Sequence, residues 1–205
     1  MSPARLVVLA SGGGRTLENL ADQIAAGRLP ARIEQVLVSR PDAGAVERAQ
    51  RLRLACTVAG PQTHPDRAQR ERLWTSLLLQ ARPDWVVLAG WLQLLPIPPA
   101  LEGRVINIHP ALLPAYGGPG CYGRRVHEMV LRDRPSISGC SVHFAGAEYD
   151  RGPLILQEAV PVLPGDDPDT LAARVFAAET RALPEALRLL IQGRVRYQHG
   201  AAPWR

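Results

Sequence analysis

The 205-residue chain is 46% apolar, which suits one α/β domain with a sizeable core and excludes a disordered polymer. All 24 basic residues are arginine, so Schiff-base chemistry on lysine and a phosphate-loop lysine are excluded, and the net charge of +5 is scattered without a block that would suit nucleic acid. No apolar run reaches transmembrane length, and the N-terminal one is too short for a signal peptide, so a cytoplasmic protein with no membrane partner is expected.

Strand-like and helix-like runs alternate along the first half. Leu6 to Ala10 reads as a first strand, and Thr16 to Ala26 as a helix capped by Thr16. Val36 to Ser39 ends a second strand, Ala43 to Leu52 is helical, and Ala55 to Ala59 is a short third strand. Pro65 to Ala81 is a longer helix. Trp85 to Ala89 is continuous and apolar, as a parallel sheet requires, and Val105 to His109 is a fifth strand. This order predicts a doubly wound, Rossmann-like, mostly parallel α/β sheet.

The pattern then changes. Gly117, Gly118, Gly120 and Gly123 make a mobile loop, followed by a short helix from Arg125 to Arg132. Ser138 to Ala145 and Leu154 to Val162 read as an antiparallel pair. Asp167-Pro168 starts a final helix, interrupted near Pro184 and resumed through Ile191. With no linker and no repeat, residues 1–205 read as a single domain with its sites at the C-terminal strand ends.

Several of these residues carry chemistry. Ser11-Gly12-Gly13-Gly14-Arg15-Thr16 joins the first strand to the first helix, where free backbone N–H groups and the helix N-terminus favour a phosphate or carboxylate. As a dinucleotide fingerprint it fits poorly, because the third glycine would fall at Leu17; Ser39-Arg40 could still receive a 2′-phosphate, which keeps an NADP-binding module open. Cys56, Cys121 and Cys140 are odd in number and lack metal spacing, so neither a disulfide framework nor a metal site is expected. Cys56 and Cys140 read as core, and Cys121 as exposed.

Asn107 and His109 lie two apart on one strand and so share a face. An amide donor and an imidazole converging on one point suit an oxygen that gains negative charge during a reaction. Asp150 supplies a carboxylate that can hold the imidazole protonated or relay a proton. His143 shares a strand face with Ser141 and reads as a support. Ser141, His109 and Asp150 lack the Gly-x-Ser-x-Gly elbow of a hydrolase.

Six segments carry a resemblance: Val8 to Gly14, Ser39 to Ala43, Val87 to Trp91, Asn107-Ile108-His109-Pro110-Ala111-Leu112-Leu113-Pro114, Ser141 to Phe144, and Asp150-Arg151-Gly152-Pro153. Through them, from about Leu6 to Arg196, the chain resembles the folate-dependent formyltransferases, and within them the phosphoribosylglycinamide formyltransferases. The resemblance implies formyl transfer from 10-formyltetrahydrofolate to the amine of glycinamide ribonucleotide in purine synthesis. No metal is implied, and the protein would be a monomer or homodimer. Asn107, His109 and Asp150 would be catalytic. The ribonucleotide would meet Gly14, Arg15, Thr16 and Glu179, and the folate would meet Arg67, Leu92, Gln93, Leu94, Leu95 and Asn107, with its pterin approaching the Gly146-to-Asp150 loop. Family members often have Ser-Asn where this chain has Arg15-Thr16, and arginine where it has Gln93. Water as acceptor would make the same site a 10-formyltetrahydrofolate deformylase.

Overall fold

The computed structural model describes residues 2–198. It divides into two compact units, Met1–Ile106 and Asn107–Arg205. Across the chain, strands β1 (Ala4–Ala10), β2 (Ala31–Val38), β3 (Cys56–Val58), β4 (Trp85–Leu88), β5 (Val105–His109), β6 (Ile137–Phe144) and β7 (Leu154–Pro161) hydrogen-bond in the order β3-β2-β1-β4-β5-β6-β7.

In the first unit, β1 pairs in parallel with β2 and with β4, and β2 with β3. Leu6 to Ala10 are buried on both pleat faces, which is why this run is apolar without alternation. Helices α1 (Arg15–Ala25), α2 (Gly44–Arg51) and α3 (Arg67–Ala81) alternate with the strands. α1 buries Leu17 and Leu20, and α3 buries Trp74 and Leu78. Thr16 is not the cap of α1, as the sequence suggests. Gly14, at φ 80° and ψ 17°, holds that place without a side-chain bond. The chain leaves the glycine loop by a left-handed turn that suits glycine, which puts Thr16 two residues past the cap, inside the first turn.

In the second unit, β6 and β7 are antiparallel, from Ile137 opposite Pro161 to His143 opposite Leu154. Helices α4 (Arg124–Asp133) and α5 (Pro168–Ile191) pack on one another, and α5 lies against β6 and β7. The Asp167 carboxylate accepts from the backbone N–H groups of Asp169 and Thr170, and Thr170 reaches back to complete a capping box. The break expected near Pro184 does not occur, and α5 runs unbroken for 24 residues. Proline removes one helical hydrogen bond, but Leu183, Pro184, Ala186, Leu187 and Leu190 are all buried, so packing holds the helix together across it.

Leu187→Ala should therefore lower the unfolding free energy by about 2–5 kcal/mol in urea denaturation, as expected for a buried leucine. A loss below about 1 kcal/mol would mean that α5 is not part of the core.

Candidate active site

β5 ends in a cluster built around one carboxylate. Asn107 and His109 leave the strand on the same side, as their spacing requires, and both reach Asp150. Asn107 Nδ2 donates to Asp150 Oδ1 at 3.1 Å, and His109 Nδ1 lies 3.4 Å from Oδ2. The Gly118 N–H donates to Oδ2 at 3.0 Å. From β6, His143 Nε2 lies 3.0 Å from Asn107 Nδ2 and 3.5 Å from Asp150 Oδ1. The Asp150 side chain is only 9% exposed, and its backbone is left-handed at φ 54°.

The partners fix where the protons sit. His109 Nε2 lies 2.8 Å from the Tyr116 carbonyl, which only accepts, so Nε2 carries a hydrogen. His143 Nδ1 lies 2.8 Å from the Phe144 carbonyl, so in the neutral ring its hydrogen is there and Nε2 accepts from Asn107; a hydrogen on Nε2 would instead point to Asp150 Oδ1. The Asn107 amide is thereby oriented with Nδ2 toward a carboxylate and an imine nitrogen. Both of its hydrogens are already engaged. An oxyanion that takes one of them must displace His143 or Asp150 from it.

His109 departs from expectation in one respect. Asp150 and the Tyr116 carbonyl do favour its protonated form, but burial opposes that form more strongly and holds the pKa below the ordinary 6.5. Both ring nitrogens face oxygen acceptors, so the site has a place for a second proton at Nδ1 and grips it weakly. Burial also pushes Asp150 up. His143, the His109 charge and the Gly118 N–H together outweigh it, so this carboxyl stays below its usual 3.8.

The segment after β5 is itself anchored. Ser141 Oγ donates to the Ala111 carbonyl at 2.7 Å, accepts from the Leu113 N–H at 2.9 Å and accepts from Gln157 Nε2 at 2.8 Å. A fully buried hydroxyl so occupied is a brace and not a hydrolase nucleophile. Gly117 packs closely: a Cβ there would stand 2.5 Å from Leu113 Cδ2, so the leucine side chain would have to shift, and 3.3 Å from Asp150 Cβ. His127 was not singled out from the sequence. It lies buried on α4 between Val126 and Val130, and burial followed by the His109 charge lowers its pKa. A histidine within the apolar stripe of that helix was the available signal.

Glu179 is half-buried on α5, where it acts on Cys140 of β6, whose thiol burial pushes up to about 12 with help from Glu179 and Glu158. Cys140 is core as expected, whereas Cys56 and Cys121 are both half-buried.

In the first unit, the glycine loop is held through its carbonyls. The Ala45 N–H donates to Gly12 O at 3.1 Å, and the Arg48 guanidinium donates to Gly13 O at 2.6 Å and to Glu18. Gly12 and Gly13 border open space, Arg15 is exposed and Thr16 is half-buried. Arg67 opens α3, exposed and paired with Glu71 at 2.7 Å. Leu92 is exposed, Gln93 and Leu94 are half-buried, and Leu95 is buried. Ser39 is not available to a 2′-phosphate, because it is buried and its hydroxyl donates to Ser11; Arg40 pairs with Asp42. The NADP-module alternative loses its anchor with them.

A doubly wound sheet with an amide, an imidazole and a carboxylate gathered at one strand end defines a class of group-transfer enzyme. Residues 4–187 match the formyl transferase family, and the chain belongs to it. It is 34% identical over 201 residues to phosphoribosylglycinamide formyltransferase of Escherichia coli (strain K12), covering 96% of this chain and 92% of that protein. It is 39% identical over 196 residues to the trifunctional purine biosynthetic protein adenosine-3 of Drosophila pseudoobscura pseudoobscura, of which it spans only 14% of the length. Glycinamide ribonucleotide transformylase 1 from Symbiobacterium toebii superposes with a TM-score of 0.88 at 36% identity, covering 98% of this chain and 94% of that one. A formyltetrahydrofolate deformylase from Pseudomonas syringae pv. tomato shares the fold, with a TM-score of 0.84, at 22% identity.

The glycines make separable demands. A Cβ at Gly14 would stand 2.7 Å from Ala45 Cα in a left-handed backbone, whereas one at Gly13 meets nothing within 4 Å. Gly14→Ala should lower the thermal unfolding midpoint by several degrees and Gly13→Ala by little. Equal midpoints would contradict this packing of the loop against α2.

Proposed function

We propose that the protein transfers the formyl group of 10-formyltetrahydrofolate to the amine of glycinamide ribonucleotide, a cytosolic step of purine synthesis. Residues 1–205 are read as one formyltransferase domain, since the family match runs through both units. The observation that carries the reading is the convergence of Asn107 and His109 on the Asp150 carboxylate.

In this mechanism the amine attacks the formyl carbon, and the formyl oxygen becomes an oxyanion. Asn107 Nδ2–H and protonated His109 donate to it, the oxyanion taking the place of one of the protein acceptors each now faces. Asp150 favours the charged imidazole and takes up the proton lost by the attacking nitrogen, directly or through water. Collapse of the tetrahedral intermediate then expels the folate nitrogen, which recovers a proton. His143 holds the Asn107 amide in register. The ribonucleotide phosphate is assigned to Gly14, Arg15 and Thr16. The exposed loop glycines and the N-terminus of α1, which has no side-chain cap, support that assignment. Glu179 is assigned to the same substrate. Arg67, Leu92, Gln93, Leu94 and Leu95 are assigned to the folate, along with Asn107. The Gly146-to-Asp150 loop is assigned to the pterin.

The test is formyl transfer assayed with and without glycinamide ribonucleotide. Amine-dependent consumption of the folate is expected. Free formate released at the same rate without the amine would show a deformylase instead.

Asn107→Ala should lower turnover about 10²–10³-fold with small changes in KM, since it removes an oxyanion donor. Asp150→Asn keeps the shape and removes the charge that raises the His109 pKa. Activity that depends on protonated His109 is lost as pH rises through that pKa. The basic limb of the pH–rate profile should therefore move to lower pH, with a strongly reduced rate. An unshifted limb at near-normal rate would remove Asp150 from the mechanism.

A further inference from the structure

Ser11 has no part in this chemistry, yet three segments of the first unit meet on it. It follows β1 directly, is 2% exposed, and immediately precedes the glycine loop. Its backbone N–H donates to the Gly90 carbonyl at 3.0 Å. Its hydroxyl oxygen accepts from the Leu92 N–H at 3.0 Å and from the Ser39 hydroxyl at 2.7 Å. Ser39, 1% exposed at the end of β2, is held in turn by its N–H on the Ala10 carbonyl at 3.1 Å. Both lone pairs of the Ser11 hydroxyl are thereby occupied.

The location gives these bonds a consequence. β1 and β4 are the neighbours at which strand order reverses, and ligands of open α/β sheets lie outside the C-terminal strand ends at such a point. The loop leaving β1 is Gly12 to Gly14, and the segment leaving β4 is Gly90 to Leu95. That second segment has no helix or strand to set its path; β4 ends at Leu88 and the next regular element is the 3-10 turn Pro99–Leu101. Ser11 makes two bonds to it, one at each side of Trp91. Trp91 is in turn buried against Trp74, with ring centroids 5.1 Å apart.

We propose that Ser11 is a positioning residue for the folate, fixing the start of Leu92 to Leu95 relative to the glycine loop through its side-chain oxygen. The proposal rests on the assignment of that segment to the folate. Removing the oxygen leaves the Leu92 N–H without its acceptor and loosens the segment while the catalytic group of Asn107, His109 and Asp150 is untouched.

The test compares wild-type protein with Ser11→Ala, Ser11→Cys and Ser39→Ala in steady-state formyl transfer. Leu92 amide hydrogen exchange is followed in the ligand-free proteins. Ser11→Ala should raise the KM for 10-formyltetrahydrofolate about five- to tenfold, in line with loss of one hydrogen bond. The KM for glycinamide ribonucleotide and kcat should stay within about twofold, and Leu92 exchange should accelerate. Ser39→Ala keeps the Leu92 bond and should change the folate KM by less than about twofold. Ser11→Cys keeps the shape and offers only a weak sulfur acceptor. It should shift the folate KM in the same direction as Ser11→Ala, and it is the variant to read should Ser11→Ala fail to fold. Wild-type activity with an unchanged folate KM in both Ser11 variants overturns the proposal alone. So does an equal rise in KM for both substrates, which a general loss of structure would produce. Wild-type protein that transfers no formyl group overturns the functional reading itself, and is distinguished by failing before any variant is compared.

Discussion

The second unit is organised around one buried negative charge. A carboxylate that is mostly shielded from water is stable only if its oxygens are well provided with donors. Asp150 receives the Asn107 amide on Oδ1 and the Gly118 N–H on Oδ2, with His109 and His143 beside them. These partners come from β5, from the loop after it, and from β6. Satisfying the charge therefore brings together chain segments about forty residues apart in sequence. Asp150 itself takes a left-handed backbone, and Gly117 packs close to its Cβ.

In the proposed reaction the cluster has to handle a charge that moves. Burial weakens the hold of His109 on its second proton, while the carboxylate and the Tyr116 carbonyl mark where that proton would lie. An acid that gives up its proton readily is useful when an oxyanion develops beside it. The Asn107 amide is aligned by acceptors on both sides, and donating to an oxyanion means exchanging one of them. Ser141 and Gln157 brace the Ala111-to-Leu113 segment, which leads to the Tyr116 carbonyl. The rigidity of the site thus extends through residues that do no chemistry.

The first unit solves a different problem. Its strands bury apolar runs such as Leu6 to Ala10 and Val36 to Val38, and the polar groups that follow those runs must find partners at the strand ends. The glycine-loop carbonyls are taken by α2, and Ser11 and Ser39 form a small buried polar pair in an otherwise apolar setting. Such a pair tolerates burial because each hydroxyl has a partner.

Much of this was legible in the residues. Apolar runs without alternation marked the parallel strands, glycines and prolines marked the turns, and two-residue spacing placed Asn107 and His109 on one face. Those properties are local, and local chemistry decides them. The cap of α1, the continuity of α5 through Pro184 and the net direction of the His109 pKa could not be read this way. Each is a balance between a local preference and burial by distant segments: glycine conformation against threonine capping, core packing against a missing N–H, desolvation against a neighbouring charge. The occupation of both Asn107 hydrogens, the place of His127 beside His109 and the three-way bond at Ser11 belong to the same kind. Sequence determined which groups could do chemistry here. Tertiary structure alone decided which of them meet and how strongly each holds its protons, because distance and solvent exclusion are set only when the chain is folded.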